Sequence, residues 1–172
     1  MKKARIKKKK KMKRSGVPHG KATGRRIVVA VSGGFDPLHP GHVRLFTEAK
    51  KLGDELVVIL NNDNWLKRKK GYVFMPENQR KEVIEALRVV DKVILTNHKP
   101  NTSDMSVTTA LKKLKPAFFA NGGDRIKTNI PEVAVCEKIG CKMIFNVGKG
   151  GKVESSSWLL EKYKNHFIRK RN

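Results

Sequence analysis

Acidic side chains are scarce in this 172-residue chain: 15 Asp and Glu stand against 39 Lys and Arg, a formal charge of +24. Such an imbalance suggests a nucleic-acid binder until its distribution is read. Residues 1–26 hold 13 of the cations and no acid, so more than half of the excess lies in a stretch with almost no apolar residues. That composition cannot bury enough surface to offset its ordering entropy. Residues 1–25 are therefore expected to form an unstructured tail and linker, with Gly16, Pro18, Gly20 and Gly24 punctuating its end. A polyanion contact, to nucleic acid, a ribosome or an anionic membrane, fits it; so do a nuclear address and a plain solvated appendage.

Cysteine is scarcer still. Cys136 and Cys141 stand in a C-x4-C spacing with no histidine nearby, which leaves too few ligands for structural zinc. Both read as reduced, packed thiols, Cys136 on a helix and Cys141 opening a strand. No apolar run approaches membrane-spanning length, and the first residues lack the apolar segment of a secretory signal, so a cytoplasmic location is expected. No internal repeat is evident at solenoid periods. What remains, 38% hydrophobic and 31% charged, suits one globular domain over residues 26–172.

Within that domain short β-rich runs alternate with helical patterns. Strands are expected over Ile27–Val31, Glu55–Leu60, Lys92–Leu95, Ala117–Ala120 and Lys142–Phe145. Helices are expected over Gly41–Leu52, Pro76–Val89, Ser106–Leu114, Pro131–Ile139 and Ser155–Asn165. Pro40, Pro76 and Pro131 suit helix starts; Gly53 and Gly140 suit helix ends. Val83, Ile84, Leu87 and Val90, like Leu45, Phe46 and Ala49, repeat at helical spacing and read as core stripes. This alternation predicts an α/β, Rossmann-like, doubly wound sheet of about five parallel strands with helices on both faces. Ligands of such a sheet gather outside the carboxyl ends of its strands. The loops leaving the first, second, fourth and fifth strands are thus the places to search.

The first of them carries the strongest pattern. Val31–His42 reads V-S-G-G-F-D-P-L-H-P-G-H between a strand and a helix. A glycine turn leading into a helix brings backbone amides and a helix N-terminus onto a phosphate. His39 and His42, three residues apart around Pro40 and Gly41, can face one small volume while the glycine leaves room for a ligand. Two surface histidines in a turn would be the plain alternative.

The signature G-x-F-D-x-x-H-x-G-H, here running from Gly33 to His42 and taking in Gly34, Phe35, Asp36, His39, Gly41 and His42, resembles that of the cytidylyltransferase-like nucleotidyltransferases. The adenylyltransferase part of ADP-heptose synthases and the glycerol-3-phosphate cytidylyltransferases belong to that group. The resemblance spans about residues 26–165, and four further segments take meaning from it. Lys69 and Lys70, in the cationic run Lys67–Lys70 after the second strand, match a lysine pair that neutralises the triphosphate and its acceptor; a solvated charge run would look alike. Arg80 stands where the family has a short arginine motif, near a helix start where it gains nothing from the dipole, so it is expected to meet a ligand or an acid such as Glu77. Asn121, Gly122 and Asp124, in N-G-G-D-R, resemble the G-G-D of ADP-heptose-synthase-type enzymes, although a simple turn uses the same residues. Ser155, Ser156 and Ser157 match a Ser/Thr-rich segment that grips the triphosphate, with helix capping as the alternative. The arginine that often precedes those serines is absent, leaving Lys149 and Lys152 as substitutes.

The resemblance implies transfer of AMP or CMP from ATP or CTP to a phosphorylated small molecule, a sugar or polyol phosphate, with release of pyrophosphate. The acceptor phosphate would attack the α-phosphorus in line, and positioning and charge stabilisation would supply most of the rate. His39, His42, Lys69 and Lys70 are then the catalytic set. Magnesium would arrive with the NTP, held chiefly by its oxygens and water, with no dedicated protein metal site; Asp36 reads as a loop organiser rather than a ligand. A non-catalytic, basic, Rossmann-like nucleic-acid-binding module is the rival reading. The base, the acceptor and the oligomeric state stay open, a homodimer among the options.

Overall fold

The computed structural model describes residues 24, 26–123, 131–148 and 155–169; the expected tail over 1–25 falls almost wholly outside them, and so do Asp124, Lys149 and Lys152. Five strands, β1 (Val28–Gly33), β2 (Glu55–Leu60), β3 (Lys92–Leu95), β4 (Phe118–Ala120) and β5 (Lys142–Ile144), form one sheet in the order β3-β2-β1-β4-β5. Every pairing is parallel, with Val31 opposite Val58, Val58 opposite Val93, and Ala30 opposite Phe119. The expected sheet is therefore the observed one.

Period-two alternation divides the core between the two faces. Val29 and Val31 join Leu56, Val58 and Leu60 under Phe46 and Ala49 of helix α1 (Pro40–Lys50) and Ile84 of helix α3 (Glu77–Glu85). Ala30, Ile59 and Phe119 face the other way, under Leu111 of helix α4 (Thr108–Leu114) and Cys136 of helix α5 (Val133–Ile139). Each Val, Leu, Ile or Phe side chain among them, fully removed from water, contributes about 1.5–3 kcal/mol. Both cysteines are buried free thiols, and burial pushes Cys141 up to about 12, so neither is nucleophilic. Among the described residues no helix is long and apolar enough to cross a membrane.

Two expectations need correction. Val83 is 42% exposed, because the core-facing side of α3 is set by Arg80 and Ile84, four residues apart. The cationic run is not a loop but the end of a helix, α2 (Asp63–Lys70). Asn62 caps it, accepting from the Trp65 amide, and Asp63 lies in its first turn. Lys67, Arg68, Lys69 and Lys70 fill the last turn, where cations are favoured, and Gly71 closes it at φ 82° with its N–H on Lys67 O. With Asn62 before it and Gly71 after it, the segment is a capped helix rather than a mobile loop.

The remaining boundaries lie close to expectation. Pro40 sits in the first turn of α1, and Gly140 ends α5 in the left-handed region at φ 72°. The last helix, α6, runs Ser156–Arg169. Strand order reverses between β1 and β4, so the crevice at the carboxyl end of β1 lies where an open parallel sheet takes its ligand.

Candidate active site

Helix α2 lies close over the end of β1, and Gly34 is the reason it fits. A Cβ there would stand 2.7 Å from Leu66 Cδ2. Phe35 follows at φ 49° and turns inward, its ring meeting the edges of His42 and Phe46 at centroid distances of 4.9 and 5.0 Å. Asp36 is fully buried. Its two carboxylate oxygens accept from the Phe74 and Met75 amides, both at 2.8 Å, and its carbonyl accepts from Lys70 Nζ at 2.7 Å. Asp36 is thus a loop organiser, holding the approach to α3 against the motif loop.

His39 is the N-cap of α1: its Nδ1 accepts from the Gly41 amide at 3.1 Å. An imidazole that accepts at Nδ1 carries its proton at Nε2 when neutral. Gly41 is required by the same contact, because a Cβ there would stand 2.9 Å from His39 Cε1. One turn on, His42 stacks on His39 with ring centroids 3.7 Å apart and planes at 26°. Burial, with smaller contributions from His39 and Lys70, holds its pKa down at about 3, and its Nδ1 is buried without a partner among the described residues. The fold therefore favours the neutral form of the His42 ring.

That depression has a thermodynamic signature. Between about pH 6.5 and 3 the unfolded chain protonates His42 while the folded chain does not. Stability contributed by this ring is complete above pH 6.5 and falls as pH drops through that window, by at most about 1.4 kcal/mol per pH unit. Urea unfolding at pH 7 and pH 5 should show the loss in the wild type and a smaller one in His42→Gln. Equal losses would mean that the ring titrates normally.

The other expected residues are divided by the structure. Lys70 is half-buried on Asp36, and burial lowers its pKa despite the carboxylate. Lys69 is exposed on the same turn, so the two lysines of the expected pair differ in surroundings. Arg80 is 1% exposed with its donors engaged on Met75 O, Gly34 O, Asn61 O and Asp63 Oδ1, at 2.6–2.8 Å. Its acid is Asp63; Glu77 instead accepts from the Asp63 amide. Asn121 is buried, its amide on Ile144 O and its side chain on Phe119 O, and Gly122 fits closely against Val147 O and Leu45. Ser155 accepts from the Trp158 amide as a cap, Ser156 donates to Pro37 O at 2.9 Å, and Ser157 is exposed. Ser156 thereby fastens the head of α6 to the motif loop 119 residues earlier.

The loop after β3 was missed. Trp65 Nε1 donates to Met105 O, and Asn62 and Asn64 both donate to His98 O, so this loop is moored to the start of α2. His98 Nε2 faces Ser106 O and its Nδ1 faces Thr96 Oγ1, which fixes the ring. Beside it a cavity of about 500 Å³ opens between β3 and α4, lined by Ile94, Thr96, His98, Ser106, Ala110 and Lys113 among others. The carboxyl-end rule applied equally to the third strand would have flagged it. Among the described residues no three His, Cys, Asp or Glu side chains converge to hold a metal ion. Asp36 and Asp63, the carboxylates nearest the loop, already have partners.

A parallel sheet of order 3-2-1-4-5 with stacked histidines of an H-x-G-H turn at the head of its first helix defines a Rossmann-like nucleotidyltransferase domain. A family model described as cytidylyltransferase-like matches residues 30–156, and the chain belongs to that family. It is similar to the FAD synthases of Ferroglobus placidus, 43% identical over 97 residues, and Pyrococcus abyssi, 42% identical over 105. Those stretches cover 56% and 60% of this chain, and 59% and 68% of the two relatives. The solved lipopolysaccharide core biosynthesis protein of Thermoplasma volcanium is similar at 31% identity and a TM-score of 0.58, over 73% of this chain and 100% of that one.

Proposed function

We propose that the chain transfers AMP from ATP to the phosphate of a small acceptor, releasing pyrophosphate, and that FMN is the acceptor. The observation that carries the reading is the stacked His39–His42 pair beside Lys70 at the carboxyl end of β1. The acceptor is drawn from the FAD synthase relatives, since FAD is FMN joined to AMP through a pyrophosphate.

In this reaction a phosphate oxygen of the acceptor forms a bond to the α-phosphorus, and the bond from that phosphorus to the β-bridging oxygen breaks. A phosphate nucleophile needs no general base. His39 Nε2 and the neutral His42 ring serve as hydrogen-bond partners of the phosphates, and Lys70 supplies positive charge; Lys69 adds charge from the helix surface. Gly34, Phe35, Asp36 and Gly41 shape the loop that receives the nucleotide, Arg80 holds it from behind through Gly34 O, and Asn121 orders the neighbouring end of β4. Gly122 and Asp124 flank the nucleoside, and Ser155, Ser156 and Ser157 at the head of α6 take the departing pyrophosphate. Magnesium enters with the triphosphate, on its oxygens and water, to offset phosphate charge. The domain doing this runs from residue 26 to 172, works in the cytoplasm and needs no part of residues 1–25.

A sugar phosphate is the second reading, favoured by the N-G-G-D segment and by the Thermoplasma relative. A matrix of ATP and CTP against FMN, glycerol 3-phosphate and hexose 1-phosphates, assayed for pyrophosphate and the nucleotidylated acceptor, tests both. ATP with FMN is expected to give FAD. Turnover confined to a sugar phosphate would replace the acceptor, and no turnover with any pair would leave a binding module.

A further inference from the structure

Strand β3 is covered by a helix on one face only. Val93 packs with Ile84 of α3 in the first core, and alternation turns Lys92, Ile94 and Thr96 to the opposite face. There Leu111 of α4 joins Ala30 of β1 and Ile59 of β2, so α4 stops short of the sheet edge that β3 forms. Ile94, Ala110 and Leu114 are the half-buried margin of this second core. They floor the cavity of about 500 Å³ between β3 and α4, a size within the roughly 300–1,000 Å³ of small-molecule pockets. None of His39, His42, Lys69 or Lys70 lines it. Asn62, Asn64 and Trp65, at the start of α2, donate to His98 O and Met105 O on its loop but do not line it either, so it is not part of the crevice at β1.

The cavity is polarised along its length. Lys92 and Lys113 line it at the end where β3 begins, one from a strand and one from a helix. Thr96, four residues along the strand and about 13 Å away, lies at the other end with His98. Among the described residues neither lysine is in an ion pair. Asp104 is the single carboxylate of the lining, and it accepts from the Ser106 amide at 2.9 Å in the loop at the far end. Glu55, which alternates with Ile59 onto the same face of β2, neither lines the cavity nor pairs with a lysine. The loop wall is ordered in advance. Ser106 O can only accept, so His98 Nε2 donates to it, and Nδ1 of the neutral ring then accepts from Thr96 Oγ1. Each lysine has a local use, Lys92 guarding a sheet edge and Lys113 completing a helix dipole. Neither use requires that both line one cavity with an apolar floor and an ordered wall.

We infer that this cavity is a second small-molecule site, apart from the transfer site, that takes a heteroaromatic ring joined to a phosphate. The phosphate lies between Lys92 and Lys113, and the ring lies on Ile94, Ala110 and Leu114. Positive charge beside an apolar floor selects an anion with an apolar body. The choice of ring and phosphate rests on the proposed function, whose flavin and adenine nucleotides share that form; the cationic end and the floor stand without it. A second copy of the chain laid along β3 is the competing occupant, because edge strands pair readily.

Equilibrium dialysis of the full chain at about 0.1 M salt, with FMN, AMP and riboflavin as probes, tests the site. A110W fills the cavity, and the double variant K92Q/K113Q removes its cationic end by changing exposed side chains only, so it reports even where A110W fails to fold. The wild type is expected to bind one more equivalent of FMN or of AMP than A110W does, and the probe that loses its equivalent identifies the ring. K92Q/K113Q should bind that equivalent at least tenfold more weakly, with circular dichroism and melting unchanged. Riboflavin, which lacks the phosphate, should bind the wild type and K92Q/K113Q alike. The transfer site is counted separately: if FMN is not the acceptor, every protein binds one equivalent of it fewer, and the difference between wild type and A110W stays. Unchanged binding of both phosphates by either folded variant, an equal loss of riboflavin and FMN in K92Q/K113Q, or a wild-type dimer that A110W dissociates with no equivalent lost would each overturn the inference.

Discussion

Replacing His42 by alanine is expected to lower kcat by about 100- to 1,000-fold, with a much smaller change in KM. The ring is held neutral by its burial and by the neighbouring His39 and Lys70, so in the proposed reaction it would act by hydrogen bonding rather than as a fixed cation. A donor preorganised for charge that shifts in the transition state affects the rate more than ground-state binding. His39 carries a second duty. Its Nδ1 caps α1 through the Gly41 amide, so His39→Ala should add about 1 kcal/mol of lost stability to a comparable loss of rate. The two histidines, equivalent in sequence, are therefore separable by melting temperature. His39→Asn should recover most of the stability, since asparagine caps well, and part of the rate. Single-turnover conversion of α-labelled ATP with saturating acceptor measures the effect. A His42→Ala protein that turns over at the wild-type rate would remove the histidine pair from the chemistry.

The sheet could be read in the sequence because its central strands are short apolar runs of a kind that only burial on both faces explains, as in Leu56–Leu60, and the partly exposed edge strands β3 and β5 alternate with helical patterns in the same way. The motif loop was legible because its glycines and histidines have few other uses in that order. What escaped was decided by partners far away in the chain. The Lys67–Lys70 run looks the same whether it is a loop or a helix end, and only Asn62, five places before it, and Gly71, directly after it, bracket it as the end of α2. Arg80 near a helix start suggests a ligand because an arginine there gains nothing locally. Its partners, the carbonyls of Gly34 and Asn61 and the Asp63 carboxylate, come together only when three segments converge. Ser156 likewise reads as a cap, and its bond to Pro37 O becomes visible only in three dimensions.

Arg80 accordingly supports the second large effect. Its guanidinium joins the end of β1 at Gly34, the end of β2 at Asn61, the start of α2 at Asp63 and the approach to α3 at Met75. Arg80→Ala would leave three carbonyl oxygens short of a donor and Asp63 without its ion-pair partner. Removing one member of a buried pair costs about 3–5 kcal/mol, a large fraction of the roughly 5–15 kcal/mol that holds a domain folded. Arg80→Lys should recover little, because one ammonium cannot reach the positions that a planar fork spans. The companion variant Arg80→Met with Asp63→Leu should be less destabilised than Arg80→Ala, since it fills the space and removes the stranded carboxylate. Urea unfolding of the four proteins gives the comparison directly. A ligand role predicts the reverse pattern: Arg80→Ala would unfold with the wild-type midpoint while its ATP affinity collapsed. That outcome would return Arg80 to the nucleotide and leave the three loops to be held by the remaining bonds, chiefly those of Asp36 to Phe74 and Met75.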